Sequence, residues 1–546
     1  MRQGVRWQLV VAALSLALAF AVLGGIALTV AQDEVPAEGG TYVEAVVGRP
    51  HYLNPILSRP DDVDQDVARL VFSGLTRLTP SGQVAPDLAQ GWEVAADGLT
   101  YVFRLRTGVL WHDGKPFGPD DVVFTVHAVQ DPDFRGPPSL ADFWRQVKVE
   151  RLDDRTVRFT LKEPFAPFLE YASLGILPAH LLAGVPARAL PEHPYGSRPV
   201  GTGPYRVVEA SQRRVVLEAS PDYYGERPYL TGVQFRYYPA PAAALAALDR
   251  REVLGLRSVP AEQLPDLTRS DTVKLYTRPD ASRLTLLLLN VRQPPFTEKA
   301  VRQALAYAVD RRRVADAALG GQAAPADGPI SPESWAYDPS SSRYSYDPAR
   351  ARALLDAAGW HEVAGERFRQ REGQRLEFAL LTNNQPERIQ AAEEISRELA
   401  EVGVYADVQA AGWTGVVQDF LVPHHFQAAL TAQWSPTADP DPYAFWHSSQ
   451  IKDGLNFGSW SDPRADDLLE RARRETQPAE RVKLYGEFQT LFAEEVPGVP
   501  LYYPLYTFAV GRQVRGVQVG LLLRPSDRLA GITDWYVRTK RVPRSY

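Results

Sequence analysis

The sequence predicts a mixed α and β fold built as more than one lobe, and three observations carry that expectation. At 546 residues the chain is longer than a single compact core organises. Short runs with the alternation of half-buried strands recur between longer segments whose apolar residues have helical spacing. No fixed-period repeat runs through it, which sets aside solenoids and propellers. Apolar residues make up 45% and charged residues 23%, so the bulk of the chain can bury a core rather than remain disordered.

Taken in order, the first signal is an address. Arg2 and Arg6 precede an apolar run from about Trp7 to Val30, followed by Gln32, Asp33 and Glu34. The run exceeds the roughly 7–15 residues of a cleaved signal core and approaches the ~20 that span a bilayer. Residues 1–31 are therefore expected to be a signal peptide, cut near Thr29-Val30-Ala31, or an uncleaved membrane anchor. Gly98 to Arg106 alternates Tyr101, Phe103 and Leu105 with polar positions, as a half-buried strand does, and Thr156 to Leu161 repeats the pattern. Both lie between Pro80 and Pro199, a stretch that reads as a sub-domain.

Leu286-Leu287-Leu288-Leu289 has the run of a fully buried strand, and Val499 to Tyr503 reads as a second one. From Thr297 to Val314 a helix is expected with Val301, Leu305, Ala308 and Val309 on its buried face, and Arg302, Arg311 and Arg312 elsewhere. Asp347-Pro348 and Asp462-Pro463 have the side-chain cap and first-position proline of helix starts, with Gly359 closing the first of them. From about Ala479, Leu484, Phe488, Leu491 and Phe492 mark a further helix that Pro497 stops.

The same sequence excludes several chemistries. It contains no cysteine, so disulfides, thiolate metal sites, cysteine nucleophiles and lipidation on an N-terminal cysteine are ruled out. A formal net charge of −6 lacks the basic footprint of a nucleic-acid binder. No metallohydrolase helix, nucleophile-elbow pentapeptide or dinucleotide fingerprint occurs. Gly201-Thr202-Gly203-Pro204 reads as a glycine-dependent turn, without the lysine of a phosphate-binding loop. His424-His425 points its rings apart, and no metal, cofactor or catalytic residue is expected.

From about Gly40 to the C-terminus the chain resembles the peptide-type extracellular solute-binding proteins that serve ABC importers for oligopeptides, dipeptides, nickel complexes and some sugars. The resemblance rests on separated motifs in the family's order. They are Asn54-Pro55, Phe72-Ser73-Gly74-Leu75, Gly91-Trp92-Glu93, Trp111-His112-Asp113-Gly114, Pro199 to Tyr205, Pro221-Asp222-Tyr223-Tyr224, Val301 to Asp310 and Asp439-Pro440-Asp441. It implies an α/β, two-lobed periplasmic-binding-protein-like fold with an extra sub-domain in the first lobe. The first lobe is expected over 36–286 with 77–199 inserted, the second over 287–507, and a return to the first over 508–546. Leu286 to Leu289 and Val499 to Tyr503 would then form a two-strand hinge.

The implied function is that of an exported substrate-binding protein, periplasmic or anchored on the outer face of the cytoplasmic membrane. It would act as a monomer, with a peptide or other small molecule as ligand and ABC permease subunits as partners. A membrane-anchored sensory or scaffold protein is the alternative, and an oligosaccharide the alternative ligand.

The family's ligand loop corresponds to Trp434 to Tyr443, where relatives carry an aspartate three residues after the tryptophan to meet a peptide amino terminus. Here that residue is Thr437, and the next acids are Asp439 and Asp441. The arginine that reads a dipeptide carboxylate would fall near Leu381 to Asn384, ahead of a helix expected from about Ala391, and none is there unless Arg388 substitutes. Leu254 also stands where relatives carry a carboxylate. The expected ligand-binding residues are Trp434, Ser435, Thr437, Asp439 and Trp413, with Trp446 and Trp460 as further aromatic candidates, and free dipeptides should bind poorly.

Overall fold

One 14-residue strand, Gly498–Gly511, joins two sheets into one. In this computed structural model, which describes residues 2–29, 32–59, 62–341 and 344–543, twelve strands form one hydrogen-bonded array among those residues. Its main path runs Tyr405–Ala411, Glu377–Asn383, Ala428–Trp434, Arg283–Leu289, Gly498–Gly511, Gly255–Leu256, Thr41–Val47, Gly232–Tyr238, Arg214–Ala219 and Tyr205–Ala210. Val273–Pro279 and Ala323–Pro325 pair with the long strand off that path.

The two apolar runs expected to be strands are neighbours. Leu286, Leu287 and Leu288 lie opposite Pro500, Val499 and Gly498. Pro500 has no amide hydrogen to give a ladder, and it sits where the register shifts, between Thr285 opposite Tyr502 and Leu286 opposite Pro500. Further along, the same strand pairs with Val273–Pro279, from Gly511 opposite Val273 to Leu505 opposite Pro279.

The apolar interior is divided accordingly. One core gathers residues from Tyr42 to Phe235 and from Phe508 to Trp535. Two others cover opposite faces of the second lobe's sheet, with Leu287 and Leu289 in one and Leu286 and Leu288 in the other. No core among the described residues mixes the interior of one lobe with that of the other, and the fold is α/β and two-lobed.

A separate antiparallel sheet, ordered Ala89–Val94, Thr100–Leu105, Thr156–Leu161 and Val147–Arg151, forms the extra sub-domain. Its inward residues follow the alternation in the sequence: Tyr101, Phe103 and Leu105 are buried, as are Val157, Phe159 and Leu161. Phe168 caps them, its ring 4.6 Å from Tyr101 and 5.4 Å from Phe159. That packing fixes the short helix Phe168–Tyr171, which carries Glu170. Gly201 and Gly203 serve close approach rather than a turn of unusual φ: a Cβ on Gly201 would lie 1.8 Å from the Val71 carbonyl oxygen.

The capping aspartates act as expected. Asp347 accepts from the Arg350 amide at 2.9 Å and Asp462 from the Arg464 amide at 2.9 Å. The helix expected over Thr297 to Val314 is instead two, Lys299–Ala308 and Arg311–Leu319. Asp310 breaks it, because its carboxylate accepts the amides of Arg312 and Arg313 and caps a new start. Arg302 and Arg311, expected off the buried face, are turned inward to carbonyls: Arg302 donates to Glu495 and Phe296, and Arg311 to Pro500 and Tyr344. The helix expected from about Ala391 starts earlier, at Pro386, where proline fits the first position.

Most of the export segment is helical, over Arg2–Thr29. Val30 and Ala31 of the expected cleavage site lie outside the described residues. No helix among the described residues is long and apolar enough to cross a membrane.

The first lobe is closed by a buried charge cluster. Arg528, with no exposed surface, pairs with Glu44 and with Asp66, the latter at 2.7 Å, and Arg257 meets Asp66 at 2.8 Å. Tyr42 donates to Glu44 at 3.0 Å. Replacing Arg528 by methionine keeps side-chain bulk but strands the carboxylates of Glu44 and Asp66 in the interior. Arg528→Met is expected to cost about 3–5 kcal/mol, read as a lower urea midpoint for the first lobe.

Candidate functional site

The strand Ala428–Trp434 runs antiparallel to Arg283–Leu289 and ends with Trp434 opposite Arg283. The pairing continues one step further, as the Ser435 amide donates to the Ser282 carbonyl at 2.8 Å. Alternation along the strand then decides which side chains face where. Gln433 and Ser435 point into a cavity beside the crossing strands, while Trp434 points away from it and is 45% exposed.

That cavity is open to solvent, with ≈ 560 Å³ of free space when the adjoining solvent is included and ≈ 60 Å³ open to the centres of water-sized spheres. The crossing strands contribute Ser282, Leu284 and Tyr503, the second lobe contributes Ile330, Ser331, Ser334 and the loop from Ser435 to Pro442, and Leu521 and Leu523 close it. Asp441 is the one charged side chain in this lining, and it is matched by Arg473 at 2.7 Å. Burial pushes the Asp441 carboxyl above the usual carboxylate range, with Arg473 pulling against it. The cavity thus offers hydroxyls, carbonyls and apolar surface with no uncompensated charge.

Of the five residues expected to bind ligand, Ser435 and Thr437 line this cavity. Their hydroxyls lie 3.1 Å apart, and Thr437 donates to the Asp439 carbonyl at 3.1 Å. Trp434 is at the rim strand but on its other face. Trp413 starts the turn Trp413–Gly415 after Tyr405–Ala411; it is half-exposed and outside the cavity lining. Asp439 is turned inward. Arg481 grips both its oxygens, at 2.5 and 2.8 Å, and the Tyr485 hydroxyl lies 3.4 Å from one of them. Arg481 is held in turn by the Ala472 carbonyl and lies 5.2 Å from the centre of the Trp335 ring.

The remaining candidates have structural jobs. Trp446 and Trp460 are buried together in the core, 6.2 Å apart. The His424 ring nitrogens lie 2.8 Å from the carbonyls of Phe457 and Ile451, with the Ser459 hydroxyl 3.0 Å from Nδ1, so the ring is held within the second lobe. Arg388 reaches the Thr431 carbonyl at 3.3 Å, and burial pushes its guanidinium below the usual range.

The loop is fixed by residues that its own sequence does not announce. Glu170 accepts the Ala438 and Asp439 amides at 2.8 and 2.9 Å across a separation of 268 and 269 positions. Arg524 donates to the Pro436 carbonyl at 3.1 Å. Arg473, besides binding Asp441, stacks 4.0 Å from the Tyr443 ring centre and 5.1 Å from that of Phe165. Prolines at 436, 440 and 442 carried the one local hint, that the loop is stiff.

Asp439→Asn keeps the shape of the side chain but removes the charge that Arg481 is built around. A loss of about 1.5–3 kcal/mol in urea unfolding is expected, with Trp434 fluorescence unchanged below the transition if the strand edge does not depend on the pair.

Comparison with known proteins agrees with this architecture. The family described as bacterial extracellular solute-binding proteins, family 5, middle region, matches residues 83–454. The oligopeptide-binding protein AppA of Bacillus subtilis (strain 168) is 31% identical over 510 residues, covering 92% of this chain and 92% of its own. Its structure in complex with a nonapeptide gives a TM-score of 0.65 at 30% identity, covering 92% of this chain and 100% of the other. NikZ from Campylobacter jejuni, solved in complex with Ni(L-His), gives 0.68 at 29% identity over 91% of this chain and 99% of its own. The chain belongs to family 5 of the bacterial extracellular solute-binding proteins.

Proposed function

We propose that the protein is the exported substrate-binding component of an ABC importer, and that it captures a neutral or backbone-held solute between its lobes rather than catalysing a reaction. The observation that carries this reading is the charge-balanced cavity beside the strands shared by the lobes, lined by Ser435 and Thr437. A free ammonium or carboxylate entering it would shed water without an opposite charge to meet, which disfavours free dipeptides. Longer peptides held through their backbones gain from the strand edge at Trp434 and Ser435. The half-exposed Trp434 and Trp413 favour a second reading, an oligosaccharide stacked on aromatic faces. Asp439 belongs to the site as the residue that shapes the loop through Arg481. ABC permease subunits are the proposed partners, the protein acting as a monomer.

Calorimetric titration of dipeptides, longer and end-blocked peptides, and oligosaccharides tests this. Binding of end-blocked peptides or oligosaccharides well above that of dipeptides is expected. Tight dipeptide binding abolished by blocking either terminus overturns the reading, and no binding across the panel favours the sensory or scaffold role. Where oligosaccharides are the best binders, Trp434→Ala should weaken affinity by roughly 1–3 kcal/mol while leaving thermal unfolding unchanged. Thr437→Asp should selectively improve ligands with a free amino group. The mass of the exported chain distinguishes a released protein from one that keeps residues 1–31.

A further inference from the structure

Besides the crossing strands and the Arg524 bond to the Pro436 carbonyl, the lobes are connected through the carboxyl group of Glu170. Glu170 belongs to a segment bound into the first lobe: Phe168 lies in its core, and Thr76 donates to the Leu169 carbonyl at 2.6 Å. Ala438 and Asp439 belong to a loop bound into the second, through Arg481 and Asp441–Arg473. The Glu170 carboxyl is buried and accepts both loop amides. Around it the Ala166 amide donates to the Arg473 carbonyl at 2.8 Å, and Arg473 lies over the Phe165 ring. Two adjacent backbone N–H groups aimed at both oxygens of one carboxyl group fix a position and an angle together, which a single bond does not.

We propose that Glu170 is a positioning residue: by holding the amides of Ala438 and Asp439 it pins the second lobe's loop to the first lobe, and so sets the lobe orientation in which Ser435 and Thr437 face the cavity. The crossing strands act as the flexible connection, and Glu170 as the bearing against which they turn. The pin is a property of the chain without ligand, so it stands apart from the identity of the solute.

Titration gives the pin a signature. Burial pushes the Glu170 carboxyl from its ordinary 4.5 up to about 7, while the two amides and Arg524 pull it down and Asp439 pushes it up. Tyr171 on its own helix and the Asp441–Arg473 and Asp439–Arg481 pairs complete the charged surroundings. An opening that admits water to the carboxyl removes that burial and lowers it toward its ordinary value. The pinned state therefore binds the proton more tightly; its stabilisation is full below the lower value and is lost as pH rises through about 7.

The chain lacks cysteine, so His127→Cys and Glu393→Cys, at exposed helical positions on opposite lobes, give two unique spin-label sites. Pulsed electron–electron distance measurements on the whole ligand-free chain should give a single narrow distribution at pH 6. Glu170→Ala should raise the displaced population by about tenfold or more, since it removes both acceptors and leaves the two buried amides unpaired. Should Glu170→Ala unfold, Glu170→Gln keeps the shape and one acceptor oxygen. Raising pH from about 5 to 8 should broaden the native distribution and leave that of Glu170→Gln flat. Superimposable distributions for native and Glu170→Ala, or equal pH responses of native and Glu170→Gln, overturn the proposal.

Discussion

The structure depends on a single strand serving two sheets. Gly498–Gly511 hydrogen-bonds to Arg283–Leu289 through its first residues and to Val273–Pro279 through its last, so each lobe's sheet is completed by chain that belongs equally to the other. Backbone pairing at both ends forbids sliding, because a one-residue slip would move every side chain of a strand buried on both faces to the opposite face, away from the neighbours it packs against. What remains is twist, concentrated where the pairing changes partner, near the register shift at Pro500 and the Asp280–Ser282 crossing. Asp280 braces that crossing, its carboxylate accepting the Ser282 amide at 3.1 Å and hydroxyl at 2.6 Å.

The loop after Trp434 leaves the sheet directly beside this crossing, and its charges are spent on shape. Asp439 is answered by Arg481, Asp441 by Arg473, and the Pro436 carbonyl by Arg524. Each pair is costly to bury alone and tolerable only with its hydrogen bonds complete. The result is a braced loop whose cavity side carries matched charge, Asp441 being answered by Arg473, beside the hydroxyls of Ser435 and Thr437.

Much of the fold could be read from the chain alone because its signals are local. Alternation at Tyr101, Phe103 and Leu105, the proline-preceded caps at Asp347 and Asp462, and the leucine run before Asn290 each need only neighbours to be interpreted. The misread helix at Thr297–Val314 shows the limit: Asp310 competes for the backbone in a pattern whose apolar spacing continues unbroken past it. Arg302 and Arg311 read as surface because charge is usually solvated, and only the tertiary fold supplies the carbonyls that bury them. In the candidate site, the family's loop pointed to Ser435 and Thr437, which line the cavity. Asp439 of the same loop is bonded inward instead, and its partner Arg481 lies 42 residues away on another element. Glu170 left no trace, because its two bonds go to main-chain amides that every residue possesses.

The buried cluster around Arg528 bears on how the chain reaches its folded state at all. Glu44 and Asp66 come early in the sequence, and the guanidinium that neutralises them lies 484 and 462 positions later. A chain threaded through a membrane N-terminus first presents both acids long before their counter-ion arrives. Until then the cheapest place for the two carboxylates is water, which keeps the surrounding strand and helix from docking. The cluster therefore closes only once residues near both ends of the chain have come together. With no cysteine to oxidise along the way, a salt cluster takes the part that a late disulfide plays in other exported proteins, and it locks without needing an oxidant.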